Sequence, residues 1–429
     1  MTVPAQASQD RRQPADRRAT YRSVFAVREF RVMAAAMFMY VLGFQFEILG
    51  LSVLIFAQTR SAFWTALAFS AGFAPQALGG ALFTALADRL PPRLVIAAGL
   101  LIRAVPGLVI GLWPGLPVPA MLAVVAVAAT TAPVYSAALS GLLPEVLDGD
   151  RYVLARSVFS LTGSATQLAG LGAGGVILAV LPARWLLLAA GAALAANAAL
   201  TRLGLRPRAA RTAKNRSATN SRRGMIRDTL AGHAELLRDR TVRGLLLAQW
   251  LPAWFATGAE SLIVPYTVAR GHPASAAAPL LAAMPAGMLL GDLLAARFCP
   301  PAARGRLVFP LVVTMGMPLL ALPFRLPLPL AGLALLACGA GFAYQLGLAQ
   351  PFLDSLPERR RGQGFGLSTT GAMGGQGLTP AMTGALAGVL GASAVMAIAG
   401  AATIVTGLAL RSHFTGHLTG PSPRRPRSG

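Results

Sequence analysis

The sequence predicts an all-α polytopic membrane protein, with twelve transmembrane helices arranged as two six-helix repeats. Three observations lead to this fold class: an apolar composition, apolar runs of helix length, and landmarks that recur at half the chain length. Of the 429 residues, 55% are hydrophobic and 12% are charged, whereas about a quarter of a soluble globular chain is charged. This composition excludes an ordinary soluble enzyme and a disordered protein, because so few polar residues cannot cover a folded chain in water.

The apolar runs give the number of crossings. A helix needs about 20 apolar residues to span the hydrocarbon core of a bilayer. Two long charge-poor runs are interrupted. The run 104–144 breaks at residues 113–117, and its residues before the break belong to the crossing 94–113. The run 362–410 breaks near Gly391 and therefore provides two crossings. The runs are 32–57, 61–87, 94–113, 104–144, 157–183, 185–201, 244–269, 271–291, 307–324, 326–353 and 362–410.

The basic residues predict the orientation of these spans. Twelve spans put both termini on one side, and 33 of the 38 Lys and Arg residues fall on that side. The opposite side carries Arg60, Arg184, Arg270 and Arg325. Because cytoplasmic loops carry the excess of Lys and Arg, we expect both termini to be cytoplasmic and the protein to lie in the cytoplasmic (plasma) membrane. The net charge of +23 is therefore attributed to the membrane face, and no nucleic-acid partner is expected.

The segment 206–240 is basic and lacks apolar periodicity, which predicts a flexible linker between the two halves. The predicted divisions are a basic cytoplasmic tail (1–30), an N-terminal six-helix bundle (31–205), a cytoplasmic linker (206–240), a C-terminal six-helix bundle (241–412) and a cytoplasmic tail (413–429).

Three landmarks support a duplication of six helices. Two of them recur 213 residues apart and the third recurs 209 residues apart. Parallel repeats of this kind place a binding site between the bundles, near the middle of the bilayer. The landmark pairs are Glu47 and Glu260, Pro144-Glu145 and Pro357-Glu358, and Leu90-Pro91-Pro92 and Cys299-Pro300-Pro301.

Two local motifs resemble those of a known family. The loop Asp88-Arg89-Leu90-Pro91-Pro92-Arg93 is similar to the cytoplasmic Asp-Arg-x-Gly-Arg motif of the major facilitator superfamily, with Pro92 in place of the glycine. The fifth span carries Gly170, Gly172, Gly174 and Gly175 and is similar to the glycine motif of antiporter members, with Leu171 in place of the proline. With the segment Leu142–Arg151, these motifs resemble the branch of drug and siderophore exporters, and the resemblance covers residues 30–412.

The resemblance implies a cytoplasmic gate at Asp88, Arg89, Arg93 and Glu145, whose charge contacts would join the two bundles in the outward-facing state. The alternative is that the arginines only anchor the loop on the cytoplasmic side. Gly170, Gly174 and Gly175 would form a helix-packing motif, because small residues let helices approach closely.

Four ionisable residues fall within apolar spans: Glu47, Arg103, Glu260 and Asp292. A charge at the bilayer centre costs about 2.5–3.5 kcal/mol on insertion scales, so these groups are expected to face the bundle interior or to pair. We expect Glu47 and Glu260 to bind protons or cationic groups of a substrate, because apolar surroundings favour the neutral form of a carboxylic acid.

The alternative for either acid is permanent neutrality, or a permanent pair with an arginine that only holds helices together. Arg103 is expected to neutralise Glu47 or to support the bundle, and Asp292 is a candidate proton site or gate partner. Gln45 and Tyr344 are further candidates for lining the cavity.

The function that these features favour is secondary active transport, with proton-coupled efflux of a small amphipathic compound such as a drug, siderophore or natural product. The partners expected are that compound, protons and the lipid bilayer, and the protein is expected to be a monomer. An uptake permease of the same fold, and a non-transporting membrane sensor or scaffold, are the alternatives.

An enzyme, a metal site and a cofactor are not expected. Lys214 is the only lysine and lies outside any P-loop motif. The two cysteines and four histidines form no metal-ligand pattern.

The predicted orientation is testable with a reporter domain fused after Gly429. In intact cells the reporter is expected to resist added protease, because an even number of crossings leaves the C-terminus in the cytoplasm. Digestion of the reporter in intact cells, with a cytoplasmic protein protected in the same sample, would overturn the number of spans.

Overall fold

The computed structural model describes residues 20–83, 90–147, 149–209, 232–299, 301–357 and 361–411. Within these ranges the regular structure is helical throughout, which confirms the all-α fold class. Besides the short helix Tyr21–Phe25, the 3-10 helix Ala274–Ala276 and the helical residues 232–238, the helices form twelve successive segments. They are α1 (Arg28–Thr59), α2 (Ala62–Ser70 and Phe73–Phe83), α3 (Pro92–Leu112), α4 (Val118–Ala129 and Ala132–Val146), α5 (Gly149–Val180), α6 (Ala183–Gly204), α7 (Arg240–Glu260 and Ile263–Ala269), α8 (Ala277–Phe298), α9 (Pro301–Gly316, continued by the 3-10 helix Met317–Phe324), α10 (Leu328–Ala340, Gly341–Ala343 and Tyr344–Ser355), α11 (Arg361–Leu390) and α12 (Ala392–Ala409).

Nine helices of the described chain are long and apolar enough to cross a membrane. Of the other three segments, α2 is interrupted by a turn at residues 71–72 and α7 by a turn at residues 261–262. The third, α11, is a continuous helix rich in glycine and hydroxyl side chains. The twelve segments agree with the predicted number of spans, and the domain boundaries stay a prediction.

Several helices extend beyond the apolar runs from which they were predicted. Helix α1 begins at Arg28 rather than at residue 32, and α8 continues to Phe298 rather than ending at residue 291. Charged residues lie in these extensions, and a helix can continue into the polar layer of a membrane because its backbone bonds stay within the segment. Proline or a left-handed residue marks the breaks between helices. Examples are Pro91, Pro117 and Pro182 before helix starts and Arg60, with φ 52°, after α1.

Within the first half, α6 holds α1 in place. The amide Nδ2 of Asn197 donates a hydrogen bond of 2.8 Å to the backbone oxygen of Ala36, and the Asn197 side chain is fully buried. Gly107 of α3 lies against the backbone of α6, where an added Cβ would lie 2.6 Å from the Leu187 oxygen. These contacts leave another face of α1 for the second half.

We call the side at which α6 ends and α7 begins the linker side, and the opposite side the far side. The largest hydrophobic cluster joins both halves. Every residue that the first half contributes to it belongs to the far-side part of its helix, whereas the first half's linker-side residues form a separate cluster. The two halves are therefore sealed together on the far side. The contributing residues are Phe46, Leu49, Phe56, Ala66, Phe69, Leu171, Leu186 and Ala190.

Small residues make the closest contacts of this seal. Gly175 of α5 faces the Cβ of Ala278 on α8. Gly384 of α11 faces α2, where an added Cβ would lie 2.7 Å from the Ala66 Cβ and 2.9 Å from the Phe63 Cα. The absence of a side chain at these glycines lets helices from different halves touch.

The seal can be tested with two glycines of the same helix. We expect Gly384→Ala to lower the thermal unfolding midpoint of the purified protein by a few degrees, because the new methyl group has no room against α2. Gly388 has no atom within 4 Å of the equivalent position, so Gly388→Ala is the matched control. It is expected to leave the midpoint unchanged or to raise it, because alanine favours a helix more than glycine does. Equal midpoints for both variants would show that the seal does not depend on this contact.

Candidate functional site

A cavity of about 480 Å³ lies between the two halves. Residues of α1, α2, α5, α7, α8, α10 and α11 line it, so both halves contribute to its wall. Most of the wall is aliphatic, aromatic or methionine, and the polar side chains are few. They are Gln45, Ser164, Gln167, Thr257, Glu260 and Gln376.

Glu260 is the only ionisable residue that lines this cavity in the described chain. It is the last residue of the first helix of α7, immediately before the turn at Ser261 and Leu262. The Ser261 hydroxyl donates to the Gly258 oxygen at 2.7 Å, and the Thr383 hydroxyl of α11 donates to the same oxygen at 3.1 Å. These bonds fix the end of the helix that carries Glu260.

No hydrogen-bond or cationic partner of Glu260 occurs within the described residues. Glu260 is partly buried. A carboxylate withdrawn from bulk water without such a partner is costly, because it has lost part of its hydration and gained no opposite charge. The carboxyl therefore favours either a bound proton or a bound cation.

Glu47 lies in a different environment. Its Oε1 accepts a bond of 3.1 Å from Nη1 of Arg103, and both side chains are almost fully buried. The pair borders a separate space of about 10 Å³ inside the first half, and the Arg103 guanidinium also lies 5.6 Å from the Phe44 ring centroid. Glu47 Oε2 and Arg103 Nε have no partner among the described residues. The pair joins α1 to α3 and is absent from the lining of the central cavity.

The internal repeat predicted equivalent roles for Glu47 and Glu260, and the structure gives them different surroundings. The physical reason is the missing arginine in the second half: the offset of 209 residues between Pro92, which begins α3, and Pro301, which begins α9, places Val312 at the position of Arg103. Val312 is fully buried, so an aliphatic side chain replaces the charge at this position.

Of the other predicted binding residues, one lines the central cavity and two do not. Gln45 lines the central cavity. The Tyr344 hydroxyl donates a 2.7 Å bond to the Gln249 oxygen, and the side chain is fully buried, so Tyr344 joins α10 to α7 outside the cavity lining. Asp292 is exposed on α8 and is absent from the lining. Sequence reasoning missed Gln376 and Gln167, whose signal is an amide side chain within an apolar run.

The predicted gate and packing residues lie on the first half. Asp88 and Arg89 lie outside the described residues, whereas Arg93 and Glu145 border one pocket at the linker side. In α5, an added Cβ at Gly170 would lie 3.0 Å from the Gln45 Cβ, and one at Gly174 would lie 2.9 Å from Leu49 Cδ2. The glycines therefore bring α5 against α1.

A family model described as Major Facilitator Superfamily matches residues 30–356. A search of curated proteins found no match.

The fold is similar to that of several solved transporters. The nucleoside transporter NupG shares 13% identity, with 90% of this chain and 100% of that chain covered and a TM-score of 0.73. The POT family transporter PepTSo shares 12% identity, with 92% and 99% covered and a TM-score of 0.68.

A third solved structure is that of a bacterial homolog of the human lysosomal transporter Spinster, in an inward-facing and unoccupied conformation. It shares 17% identity, with 92% of this chain and 99% of that chain covered and a TM-score of 0.65. At these identities the likeness concerns the fold, and the match of the family model over most of the chain decides the family. This multi-pass membrane protein belongs to the Major Facilitator Superfamily.

Proposed function

We propose that the protein is a secondary active transporter that exports a small amphipathic compound in exchange for protons. The observation that carries this proposal is Glu260, the one acid that lines the mostly apolar cavity among the described residues, where its carboxyl has no partner. The proposed mechanism is alternating access, in which the halves rock about the cavity.

The cavity supports a small amphipathic cargo. Its volume of about 480 Å³ falls in the range of about 300–1,000 Å³ that is usual for small-molecule sites. Phenylalanine and methionine side chains offer a polarisable surface for an apolar or aromatic body. The amides of Gln45, Gln167 and Gln376 can donate or accept hydrogen bonds at its polar end.

Glu260 supports exchange with protons. A proton and a cationic or hydrogen-bonding cargo group would compete for the same carboxyl, so that binding of one releases the other. Entry of each proton supplies about 2.3 kcal/mol per 100 mV of membrane potential. With the far side sealed, cargo would enter from the linker side, which the positive-inside pattern assigns to the cytoplasm.

The Glu47–Arg103 pair is proposed to be structural. Its two charges compensate each other inside the first half, and removal of one would leave the other buried without a partner. Breaking a buried pair in this way typically costs about 3–5 kcal/mol. We therefore expect substitution of Glu260 to change transport and substitution of Glu47 to change stability.

The first test substitutes Glu260 by glutamine. In proteoliposomes loaded with tetraphenylphosphonium as the probe, we expect the wild-type protein to move the probe against its gradient when a pH gradient is imposed. Glu260→Gln is expected to abolish this pH-driven movement, because the amide cannot take up and release a proton. Glu235→Gln, on the linker side, is the matched control and should transport as the wild type.

Retention of pH-driven transport by Glu260→Gln would contradict the proposed coupling site. Movement of the probe together with protons, rather than against them, would identify an uptake permease. Absence of movement for the probe and for a panel of amphipathic dyes would favour the sensor or scaffold alternative.

The second test measures the stability of variants in the buried pair. Glu47→Leu is expected to lower the free energy of unfolding by about 3–5 kcal/mol, because Arg103 loses its counter-ion. The double variant Glu47→Leu with Arg103→Leu should recover most of this loss and retain pH-driven transport, as thermal unfolding and the proteoliposome assay would show. If the double variant is stable but no longer responds to the pH gradient, the pair takes part in coupling.

A further inference from the structure

We infer that the first half carries, on its linker side, a binding pocket for the phosphate headgroup of an anionic phospholipid. The pocket has a volume of about 470 Å³ and is separate from the central cavity. Its lining comes from the start of α1, the start of α3, the end of α4, the end of α6 and the residues that follow α6. Nothing in this inference depends on the proposed transport function.

The segment that leaves α6 builds one wall of the pocket. Arg208 donates two bonds of 2.8 Å to Glu29, one to each carboxylate oxygen, and the Arg206 backbone N–H donates a third bond of 2.8 Å to Glu29 Oε1. Arg208 Nε also lies 3.6 Å from Glu145 Oε2. The hydrogen bonds from Arg208 to Glu29 raise the pKa of Arg208 above its usual value. This paired, bidentate contact fixes the start of the linker against α1.

The charges of the pocket do not balance. Four arginines and two glutamates line it. Glu29 is occupied by Arg208 and by the Arg206 backbone, and Arg208 also contacts Glu145. The guanidinium groups of Arg28, Arg93 and Arg206 form no salt bridge with any residue of the described ranges. The pocket therefore carries an excess of positive charge.

One atom of these arginines is also without a hydrogen-bond acceptor among the described residues. The Nε atom of Arg93 is buried and has no partner. Buried N–H groups in proteins are almost always bonded to protein, ordered water or a ligand. An acceptor oxygen in the pocket would satisfy Arg93, and a planar guanidinium matches the oxygens of a phosphate group.

The position of the pocket favours a lipid as the source of that phosphate. Arg28 is the first residue of α1 and Arg93 the second residue of α3. The pocket therefore lies where the apolar helices end, at the depth of the lipid headgroups. Leu203 also lines it and is 80% exposed, so that an acyl chain has an apolar surface beside the charged pocket. Basic pockets between helices on this side of a membrane protein suit anionic headgroups.

The test titrates phosphatidylglycerol into the full-length protein in phosphatidylcholine nanodiscs and measures bound lipid by native mass spectrometry. We expect saturable binding of phosphatidylglycerol at one site. Arg93→Gln and Arg28→Gln should each weaken it about fivefold, the effect of one basic residue near an anionic headgroup. Arg93→Lys should retain much of the binding because the charge remains.

Arg306→Gln is the matched control, since Arg306 is an exposed arginine near the linker-side start of α9 and does not line the pocket. Should Arg93→Gln fail to fold, Arg206→Gln replaces it, because that side chain is exposed and only its backbone bonds Glu29. Wild-type affinity in the pocket variants, or equal loss in Arg306→Gln, would overturn the inference.

A further arm of the experiment separates a lipid from a soluble anion. Inorganic phosphate and glycerol 1-phosphate are added to the same nanodiscs as competitors. If the pocket takes a lipid, neither competitor should displace phosphatidylglycerol at millimolar concentration. Displacement by either one, with the same dependence on Arg93, would assign the pocket to a soluble phosphate compound and would refute the lipid assignment.

Discussion

The structure depends on one constraint: within a lipid bilayer, apolar helices must associate without the hydrophobic effect as a driving force. In lipid, the backbone hydrogen bonds have to be closed within each helix, and association between helices then depends on close contact and on a few polar groups. The chain has 46 glycines, and many of them lie where another helix passes, as Gly107 does against α6. Three salt bridges are present within the described residues, and the acid of each lies on α1 or α4.

The two halves have the same number of helical segments but differ in whether the intramembrane glutamate has a counter-ion. The first half keeps Glu47 beside Arg103, whereas the second half has Val312 at the position that corresponds to Arg103. The absence of a counter-ion is destabilising in a purely structural setting. Glu260 lies on the wall of the cavity, and its carboxyl has no salt bridge with any of the described residues. The difference between the halves is therefore as informative as their similarity.

The sequence predicted the fold class, the helical segments and the repeat, because long apolar runs and their spacing follow directly from the thickness of a bilayer. It did not predict which side chains face the cavity. Gln45 and Glu47 are two residues apart on α1, and two helical steps turn a side chain by about 200°. Gln45 consequently lines the central cavity while Glu47 points into the first half. To predict which side chain faces the cavity, one must know how each helix is oriented about its own axis. Packing between helices determines that orientation, and composition does not.

The far-side seal consists of carbon contacts between small residues, such as Gly384 against Ala66. Dispersion attraction is short-ranged, and a gap of about 0.5–1 Å already forfeits a quarter to a half of it. Separation of the halves there would be abrupt rather than gradual, and dissolved salt would not weaken it as it weakens an ionic latch. The lateral pressure and thickness of the surrounding lipid would instead determine how readily the two halves separate at the far-side seal.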